Sequence, residues 1–481
     1  MGSRLSLFKN TFALAVPNVL NPFISFVLIL MISRSLGVDG LGEYSLVLAY
    51  VGIFSTFASL GLGDLVVREL ARNPEDVHTF FVNAGVFGAI SSLASMIIMD
   101  ACVLAMGYGQ EVVKATVIMS FSLVASTAMT YLEAIFRSVE KSKYIALTYL
   151  AENALRVGAC VLLLLNGYGI IALFFAVLVS RILALLMLFS FYRKLLGMPG
   201  WRFKPEIWRT LWKEAPTFTS IAIFSTIHLS LDQIMLSKLQ TIESVGIYSA
   251  ADRLLSICKT VPVAFASALL PFFSQRMATG FQGLRRITED SLRYLSLVLF
   301  PVVVGTVVLG DSIITMMYGA TFVAAGPVLR LHIVSLIPFS AVFVLAQVLI
   351  ATDNQRTDLK INMVAALVNF VLNFVLIPPY GAMGAAVATL LSILVFHTLQ
   401  YLYIKSYLFR LSFFGITHRA LFGSLAMGAF TYAFRDWNLF LNVGVSAALY
   451  FFFAIALGAI SRDDLATLTG WIKRTSGTKE A

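Results

Sequence analysis

An all-α fold that crosses a membrane about 14 times is the architecture that this sequence predicts. Hydrophobic residues make up 59% of its 481 residues and charged residues only 12%, whereas soluble domains are roughly 25% charged. Hydrophobic segments reach the ~20 residues that a helix needs to cross a hydrocarbon core of about 30 Å. Basic residues also alternate between loops as membrane topology requires. The prediction is therefore a polytopic α-helical membrane protein.

The order of the hydrophobic segments gives the elements of this fold. The first segment follows Arg4 and Lys9 and is longer than the core of a signal peptide, so we expect it to remain as the first span. The predicted spans, numbered 1 to 14, are residues 10–33, 43–63, 79–105, 112–136, 144–166, 170–192, 212–236, 246–272, 290–310, 322–350, 359–378, 382–404, 412–434 and 438–460.

The loops between these spans differ in basic charge. On the side opposite the termini, the loops carry only Arg34, Lys114, Lys238 and Arg435, and nearly all other loop Lys and Arg residues lie on the side of the termini. Because cytoplasmic loops are enriched in Lys and Arg, we expect both termini to be cytoplasmic and the protein to lie in the cytoplasmic membrane. This distribution explains the net charge of +10 without a nucleic-acid partner.

Motifs of catalysis and metal binding are absent from the sequence. Cys102, Cys160 and Cys258 lie in apolar segments without a CxxC pair, so we expect neither a disulfide framework nor a metal site. The sequence has no HExxH, paired-acid or nucleophile–base motif. All outer loops are short, which argues against a membrane glycosyltransferase, polymerase or ligase. We therefore expect neither a cofactor nor enzymatic activity.

An internal repeat organises the chain. Residues 38–45 (VDGLGEYS) resemble residues 242–249 (IESVGIYS) at a shift of 204 positions, and a shift of 212 pairs Tyr168-Gly169 with Tyr380-Gly381. Six crossings return each copy to its starting side, so the copies are parallel repeats about an axis along the membrane normal. The predicted domains are a six-helix N-terminal lobe with a basic cytoplasmic linker (1–205), a six-helix C-terminal lobe (206–407), and two additional helices with a cytoplasmic tail (408–481).

Two segments carry a resemblance to a known family. Residues 33–45 (SRSLGVDGLGEYS) and 59–72 (SLGLGDLVVRELAR) resemble the first outer turn and the inner end of the second span of polysaccharide flippases in the multidrug/oligosaccharidyl-lipid/polysaccharide exporter superfamily. The resemblance implies a flippase that moves polyprenyl-pyrophosphate-linked oligosaccharide across the cytoplasmic membrane by alternating access, for cell-surface polysaccharide synthesis. It also implies that spans 1, 2, 7 and 8 line a central cavity.

Span 8 carries three charges within its apolar sequence: Asp252, Arg253 and Lys259. A charge at the bilayer centre costs roughly 2.5–3.5 kcal/mol on insertion scales, so it usually faces a polar cavity or a partner. Asp252 and Lys259 share one helical face. We interpret Lys259 and Arg253 as a cationic wall that binds the pyrophosphate of the cargo, since Lys and Arg are common phosphate ligands. The alternative is a structural Asp252–Lys259 pair.

Further polar residues of the first repeat are candidates for substrate binding. Arg156 and Arg181 could assist at the phosphate, although the spacing of Glu152 and Arg156 favours an intrahelical ion pair, and Arg181 would then either meet Glu152 or face the cavity. Asn18 and Asn21 share a face of span 1. Arg34, at the outer end of that span, would contact glycan or anchor the helix at the interface.

Other charges are candidates for ion coupling and gating. His228 and Asp232 share a face of span 7 and could couple transport to an H⁺ or Na⁺ gradient. Alternatively, Asp232 is a counter-ion for Arg253 or Lys259 of span 8. The gate candidates are Asp64 and Arg68, spaced for a helix-end salt bridge, and Arg330.

Two related functions remain as alternatives. A cation-coupled multidrug exporter of the same fold would rely on an acid in span 1 or a cluster of acids in the second lobe. Span 1 contains no acid, and its polar residues include Asn18, Asn21 and serines, which argues against drug export. A peptidoglycan lipid-precursor flippase would share the span count and cargo chemistry. The expected partners are the lipid-linked oligosaccharide, membrane lipids and glycan-assembly enzymes, and the sequence leaves the oligomeric state open, a monomer included.

Overall fold

The protein is built from α-helices joined by short turns. The computed structural model describes the backbone of residues 2–200, 202–277 and 280–460. Side chains are described from Asn21 onward, except at positions 74, 221–222, 224–225, 227–229, 270–271, 274 and 277. No β-strand occurs in these ranges. The all-α prediction is therefore confirmed for the described chain.

The helices pack into two compact units. Unit 1 comprises Met1–Ala250 with Asn373–Ala385, and unit 2 comprises Ala251–Leu372 with Ala386–Ala481. The helices are α1 (Gly2–Ser59), α2 (Gly63–Arg72), α3 (Val77–Ala105), α4 (Gln110–Ser138), α5 (Ser142–Leu165), α6 (Ile170–Leu196), α7 (Pro205–Leu239), α8 (Ile242–Met277), α9 (Phe281–Tyr318), α10 (Ala325–His332), α11 (Leu336–Ala351), α12 (Gln355–Tyr407), α13 (Phe413–Ala433) and α14 (Leu439–Ala456). The units follow packing, whereas the predicted lobes follow the sequence repeat, so the lobe boundaries stay a prediction.

Two helices are interrupted where the sequence predicted turns between spans. In α1 the backbone leaves the helical region at Gly37 (φ 70°, ψ −163°), and in α12 it does so at Gly381 (φ 55°, ψ −132°). A Cβ on Gly384 would lie 2.1 Å from the carbonyl oxygen of Leu376. Residues eight positions apart in a continuous helix are about 12 Å apart, so the chain folds back at Gly381.

Membrane-spanning character is visible in length and in surface composition. Among the described residues, nine helices are long and apolar enough to cross a membrane, α1 and α12 being counted once each despite their interruptions. Large apolar side chains are exposed along the helices, as at Ile97, Phe374 and Phe452. Such surfaces are compatible with lipid contact and rare on soluble monomers. These observations confirm a polytopic membrane fold, and the count of 14 spans stays a prediction.

Each unit has a hydrophobic core near the basic ends of its helices. In unit 1, Leu65, Ile135, Tyr192 and Leu211 are buried in one cluster that joins α2, α4, α6 and the start of α7. In unit 2, a second cluster joins α8, α9, α11 and α12 through side chains that include Leu255, Leu295, Leu345 and Ile404.

The linker between α6 and α7 is fixed to α3 by a buried asparagine. The Asn83 amide donates to Thr79 O (2.7 Å) and to Arg202 O (2.8 Å), and its Oδ1 accepts from Lys204 N (3.1 Å). Nearby, Lys204 Nζ forms an ion pair with Asp76 Oδ1 at 2.7 Å. Asn83 is fully buried, so the linker backbone depends on it for hydrogen bonds that water would supply at an exposed position.

Replacing this asparagine should destabilise the protein. We expect Asn83→Ala to cost about 1–3 kcal/mol of unfolding free energy, because it removes the three hydrogen bonds of a fully buried side chain, one of them to the buried Thr79 carbonyl, and to lower the thermal midpoint in detergent. Asn166→Ala is the control: Asn166 is exposed and donates one bond to Leu162 O, so the change should stay within about 0.5 kcal/mol. Equal midpoints for the two variants would contradict a fixing role for Asn83.

Candidate functional site

The two copies of the repeated segment contact each other reciprocally within unit 1. A Cβ on Gly42 would lie 2.2 Å from Ile242 O, and a Cβ on Gly246 would lie 2.1 Å from Val38 O. The shift of 204 positions that pairs Val38 with Ile242 also pairs Gly42 with Gly246. Each copy therefore presents the same glycine to the same carbonyl of the other, as in a two-fold symmetric interface. Contact this close requires glycine at both positions.

The side chains that follow the two glycines have different roles. The ring of Tyr44 stacks on Phe174, with 5.3 Å between centroids. Its counterpart Tyr248 donates through its hydroxyl to Asp232 Oδ2 at 2.6 Å, and Asn373 Nδ2 donates to Asp232 Oδ1 at 2.6 Å. Asp232 is buried. Its carboxylate therefore accepts hydrogen bonds from two neutral groups at the start of α8 and on α12.

A polar cluster between α1 and α5 contains two of the predicted substrate-binding residues, Asn21 and Arg156. Arg156 Nη2 donates to Ser25 Oγ (2.8 Å) and to Asn153 Oδ1 (2.7 Å), and Asn153 Nδ2 donates to Asn21 Oδ1 (2.8 Å). Within the described chain, Arg156 Nε is buried without a hydrogen-bond partner. The cluster thus holds a guanidinium between two predicted spans with its buried Nε donor unbonded among the described residues.

Glu152 pairs with a different arginine from the one that its spacing favoured. Arg181 Nε lies 3.0 Å from Glu152 Oε1, and the Glu152 side chain is 7% exposed. Arg156, four positions from Glu152, instead bonds the neutral groups of Ser25 and Asn153. The intrahelical pair was therefore the wrong choice, because Ser25 of α1 binds Arg156 and Arg181 of α6 binds Glu152. For Arg181 the sequence left two possibilities, an ion pair with Glu152 or a position facing the cavity, and the structure shows the ion pair.

Unit 2 holds the three charges of span 8 in separate surroundings. Asp252 Oδ1 lies 3.3 Å from Nε2 of the fully buried His332. Lys259 Nζ lies 5.3 Å from the ring centroid of Phe339, within the range of a cation–π interaction. No ion pair within 4.0 Å joins Asp252 to Lys259 in the part that the structure describes, and both the cationic wall and the structural pair stay predictions. The Nε atom of Arg253 is buried and lacks a hydrogen-bond partner among described residues.

The predicted inner gate pair does not form. Asp64 lies 3.3 Å from Arg137 of α4, whereas Arg68 contacts Glu69 (3.1 Å) and Glu214 of α7 (3.8 Å). The spacing of Asp64 and Arg68 is correct for a helical pair, but interhelical partners are present for both. These exposed pairs link α2 to α4 and α7, and exposed pairs contribute little stability.

Arg330, the third gate candidate, forms an ion pair with Asp311 between α10 and α9. Two glycines make room for it. A Cβ on Gly326 would lie 2.1 Å from Asp311 Oδ1, and a Cβ on Gly310 would lie 2.9 Å from Arg330 Cγ. The pair therefore fixes the approach of α10 to α9 within unit 2.

Three other predicted residues are placed only in part. The side chains of Asn18 and His228 lie outside the described residues. Arg34 is exposed near the end of the first half of α1 (residues 2–36), just before Gly37.

One cluster in unit 1 was missed by sequence reasoning. Tyr108 OH lies 2.7 Å from Ser237 Oγ and 3.1 Å from Tyr50 OH, and Lys238 Nζ lies 3.6 Å from the Tyr108 ring centroid. Burial raises the pKa of Tyr108, which lies in the loop between α3 and α4, so its phenol stays protonated. The sequence identified Lys238 as a loop cation, and no pattern linked it to a tyrosine so distant in sequence.

With helices that cross a membrane and charged groups held inside them, the chain has the architecture of a polytopic membrane transporter. The family model described as polysaccharide biosynthesis protein matches residues 7–277, and a second model, MatE, matches residues 216–375. The first match covers more than half of the chain. The chain therefore belongs to the polysaccharide biosynthesis protein family, as the resemblance of residues 33–45 and 59–72 predicted.

Relatives and solved structures agree with this assignment. The chain is 23% identical over 481 residues to the Haloferax volcanii protein named "Probable low-salt glycan biosynthesis flippase Agl15", with 98% of each chain covered. Its fold is similar to the lipid II flippase MurJ in an inward closed conformation (TM-score 0.77, 16% identity, 94% of this chain and 99% of that chain). It is also similar to an inward-facing multidrug resistance MATE family transporter (TM-score 0.64, 14% identity, 82% and 97%). The chain is a transporter rather than an enzyme.

Alanine at the paired glycines should lower the stability of the protein, whereas alanine at a helical glycine with open space around it should raise it. We expect Gly42→Ala and Gly246→Ala each to cost about 1–3 kcal/mol, because each Cβ overlaps a backbone carbonyl. Gly85 is helical with nothing within 4 Å of its Cβ, so Gly85→Ala should stabilise by roughly 0.5–1 kcal/mol. Thermal midpoints in detergent measure the difference, and the same sign at all three positions would refute the close contact.

Proposed function

We propose that the protein is a flippase that moves polyprenyl-pyrophosphate-linked oligosaccharide across the cytoplasmic membrane by alternating access, for cell-surface polysaccharide synthesis. The family assignment and the flippase relative support transport of a lipid-linked glycan. The pyrophosphate link, the membrane and the transport mechanism are our proposals. They rest on the chemistry of the intramembrane charges and on the repeat.

The observation that carries the proposal is a pair of incompletely bonded guanidinium groups. Nε of Arg156 in unit 1 and Nε of Arg253 in unit 2 are buried without hydrogen-bond partners among the described residues. A buried donor without a partner costs about 1–3 kcal/mol, and more in a charged group. Phosphate oxygens accept strong bonds from arginine, so a phosphate group of the cargo would satisfy either guanidinium within its own unit. Lys259 adds a further positive charge, and its ammonium group lies over the neutral ring of Phe339.

The repeat supports a mechanism in which closure occurs at a symmetric contact. Gly42 and Gly246 approach the backbone of the opposite repeat copy closely, and this contact would close the outer side. Opening to that side would separate the two glycines from Ile242 and Val38. The lobes that move would be the predicted repeats 1–205 and 206–407, with the oligosaccharide released outside and the polyprenyl chain remaining in the bilayer.

Loss of either guanidinium should reduce transport of the anionic cargo. We expect Arg156→Gln and Arg253→Gln each to weaken apparent cargo affinity about 10- to 100-fold, since a charge-assisted hydrogen bond contributes about 1.5–3 kcal/mol. Flipping of a fluorescent polyprenyl-pyrophosphate oligosaccharide in proteoliposomes measures this effect. Arg435→Gln is the control, because Arg435 is exposed beside Asp436 in the loop before α14.

The same assay distinguishes the proposal from its alternatives. Unchanged flipping in both variants would remove the two arginines from the binding site. Transport of a cationic drug, without flipping of any polyprenyl cargo, would favour the multidrug exporter. A preference for a peptidoglycan precursor over other polyprenyl oligosaccharides would identify the lipid-precursor flippase, whose phosphate chemistry the two arginines would serve equally.

Ion coupling at Asp232 is the second element of the proposal. A carboxylate in a membrane helix that accepts bonds from a hydroxyl and an amide could bind a proton or a sodium ion in exchange for one of these donors. Binding would change the bonds of Tyr248, which lies two positions after the contact glycine Gly246. This connection would link ion binding to closure of the repeat contact.

Neutralising this carboxylate should uncouple transport from the gradient. We expect Asp232→Asn to abolish stimulation of flipping by an imposed H⁺ or Na⁺ gradient, while equilibration of cargo without a gradient continues at a similar rate. Asp100→Asn is a suitable control, because Asp100 is an acid on α3 that accepts from Ser120. Gradient stimulation that survives in Asp232→Asn would assign coupling to another group.

A further inference from the structure

A four-residue loop joins α3 to α4 within unit 1, and it carries a tyrosine between two glycines. The loop is residues 106–109 (MGYG). Gly107 adopts a φ of +65°, and a Cβ at Gly107 or Gly109 would meet nothing within 4 Å. Glycine adopts more backbone conformations than any other residue. The loop is therefore able to take another position once the contacts of Tyr108 are broken.

The contacts of Tyr108 and its neighbour Met106 attach this loop to α1 and α7. The Tyr108 hydroxyl lies 2.7 Å from Ser237 Oγ and 3.1 Å from Tyr50 OH, and both partner side chains are buried. The ammonium group of Lys238 lies 3.6 Å from the centroid of the Tyr108 ring and donates to the Met106 carbonyl. We call these contacts the outer latch, because the sequence predicts that the α3–α4 loop faces outward.

The outer latch joins the two copies of the repeat. Tyr108 lies in the first predicted lobe and Lys238 in the second. The reciprocal contact of Gly42 and Gly246 joins the same two copies, and both sets of contacts lie within unit 1. In the proposed mechanism the copies separate on the outward side. The outer latch must then open together with the glycine contact.

The charge of Lys238 is met by neutral groups. Among the described residues no carboxylate lies within 4.0 Å of its ammonium group, and its side chain is exposed. Other cations of the same unit have acidic partners, since Arg181 pairs with Glu152 and Lys204 with Asp76. A phosphate can therefore contact Lys238 without breaking an ion pair, and it attracts an ammonium group more strongly than a carbonyl or an aromatic ring does.

We propose that Lys238 binds a phosphate of the cargo at the outward side of unit 1, and that this binding opens the outer latch. The inference rests on the proposed flippase function, which brings an anionic cargo to this side. The ammonium group leaves the Met106 carbonyl and the Tyr108 ring for the phosphate. The loop, then held by its hydroxyl contacts, separates from α7. Arrival of the cargo thereby permits opening, and an empty transporter stays closed to the outside.

Hydrogen exchange of the full chain in phosphatidylcholine nanodiscs, followed by mass spectrometry, tests the proposal. The amides of Met106 and Gly107 donate to Cys102 O and Leu104 O, so the loop has protected positions to follow. Farnesyl pyrophosphate is the probe. Farnesol and phosphatidylglycerol are the controls for an uncharged isoprenoid and for a bilayer phosphate. We expect farnesyl pyrophosphate to accelerate exchange of residues 106–109 about 10-fold, and neither control to change it.

Substitutions at Lys238 separate the latch from binding of the phosphate. In Lys238→Gln the loop should exchange about 10-fold faster without any probe, and farnesyl pyrophosphate should add nothing further. Lys238→Arg keeps a cation that suits both the ring and a phosphate, so it should behave like the unmutated protein. Lys114→Gln is the matched control and should change nothing, because Lys114 is an exposed cation near the start of α4 and has no part in the outer latch.

Two results would overturn the proposal. Equal loop exchange in Lys238→Gln and the unmutated protein would show that Lys238 does not hold the loop. An unmutated loop that does not respond to farnesyl pyrophosphate, or that responds equally to phosphatidylglycerol, would remove the cargo from Lys238, and this comparison does not depend on the folding of any variant. Loop exchange without a probe requires no transport, so failure of the latch is distinguishable from failure of the proposed flippase function.

Discussion

The hydrocarbon core offers no hydrogen-bond partner, so the polar groups that these helices carry into it must be met within the protein. The structure repeatedly supplies such partners across helices. Tyr450 bonds the Leu297 carbonyl that Pro301 leaves free. At the Gly381 turn, Gln240 Nε2 donates to the carbonyls of Ile377 and Pro378 at 3.1 and 2.7 Å. Breaks in helices therefore become points at which distant segments are fixed to one another.

The repeat adds a second constraint, because its two copies contact each other through equivalent positions. A change at this contact in one copy therefore affects the backbone of the other copy as well. Gly42 and Gly246 each face a carbonyl of the opposite copy at a distance that excludes any side chain. A backbone contact of this kind is insensitive to side-chain divergence elsewhere. It can thus remain symmetric while Tyr44 packs on Phe174 and Tyr248 bonds Asp232.

The fold was largely predictable from sequence, and the partners of charges were not. The breaks at Gly37 and Gly381 lie between predicted spans because turns concentrate glycine where hydrophobic segments end. Charge pairing failed for Glu152 and Asp64, where spacing along one helix suggested Arg156 and Arg68 but Arg181 and Arg137 approach from other helices. Helical spacing defines neighbours on one helix only. The packing that brings α6 to α5 depends on the whole bundle.

Incompletely bonded arginines are an unusual feature for a membrane protein to retain. An arginine with a structural role is expected to pair with a carboxylate, as Arg330 does with Asp311, since an unpaired buried charge destabilises the fold. Arg181, paired with Glu152, has the partner that a structural role requires. Arg156 is adjacent to the same acid yet bonds Ser25 and Asn153 and keeps Nε without an acceptor among the described residues. The proposed binding of an anionic ligand at Arg156 rests on this difference between two neighbouring arginines.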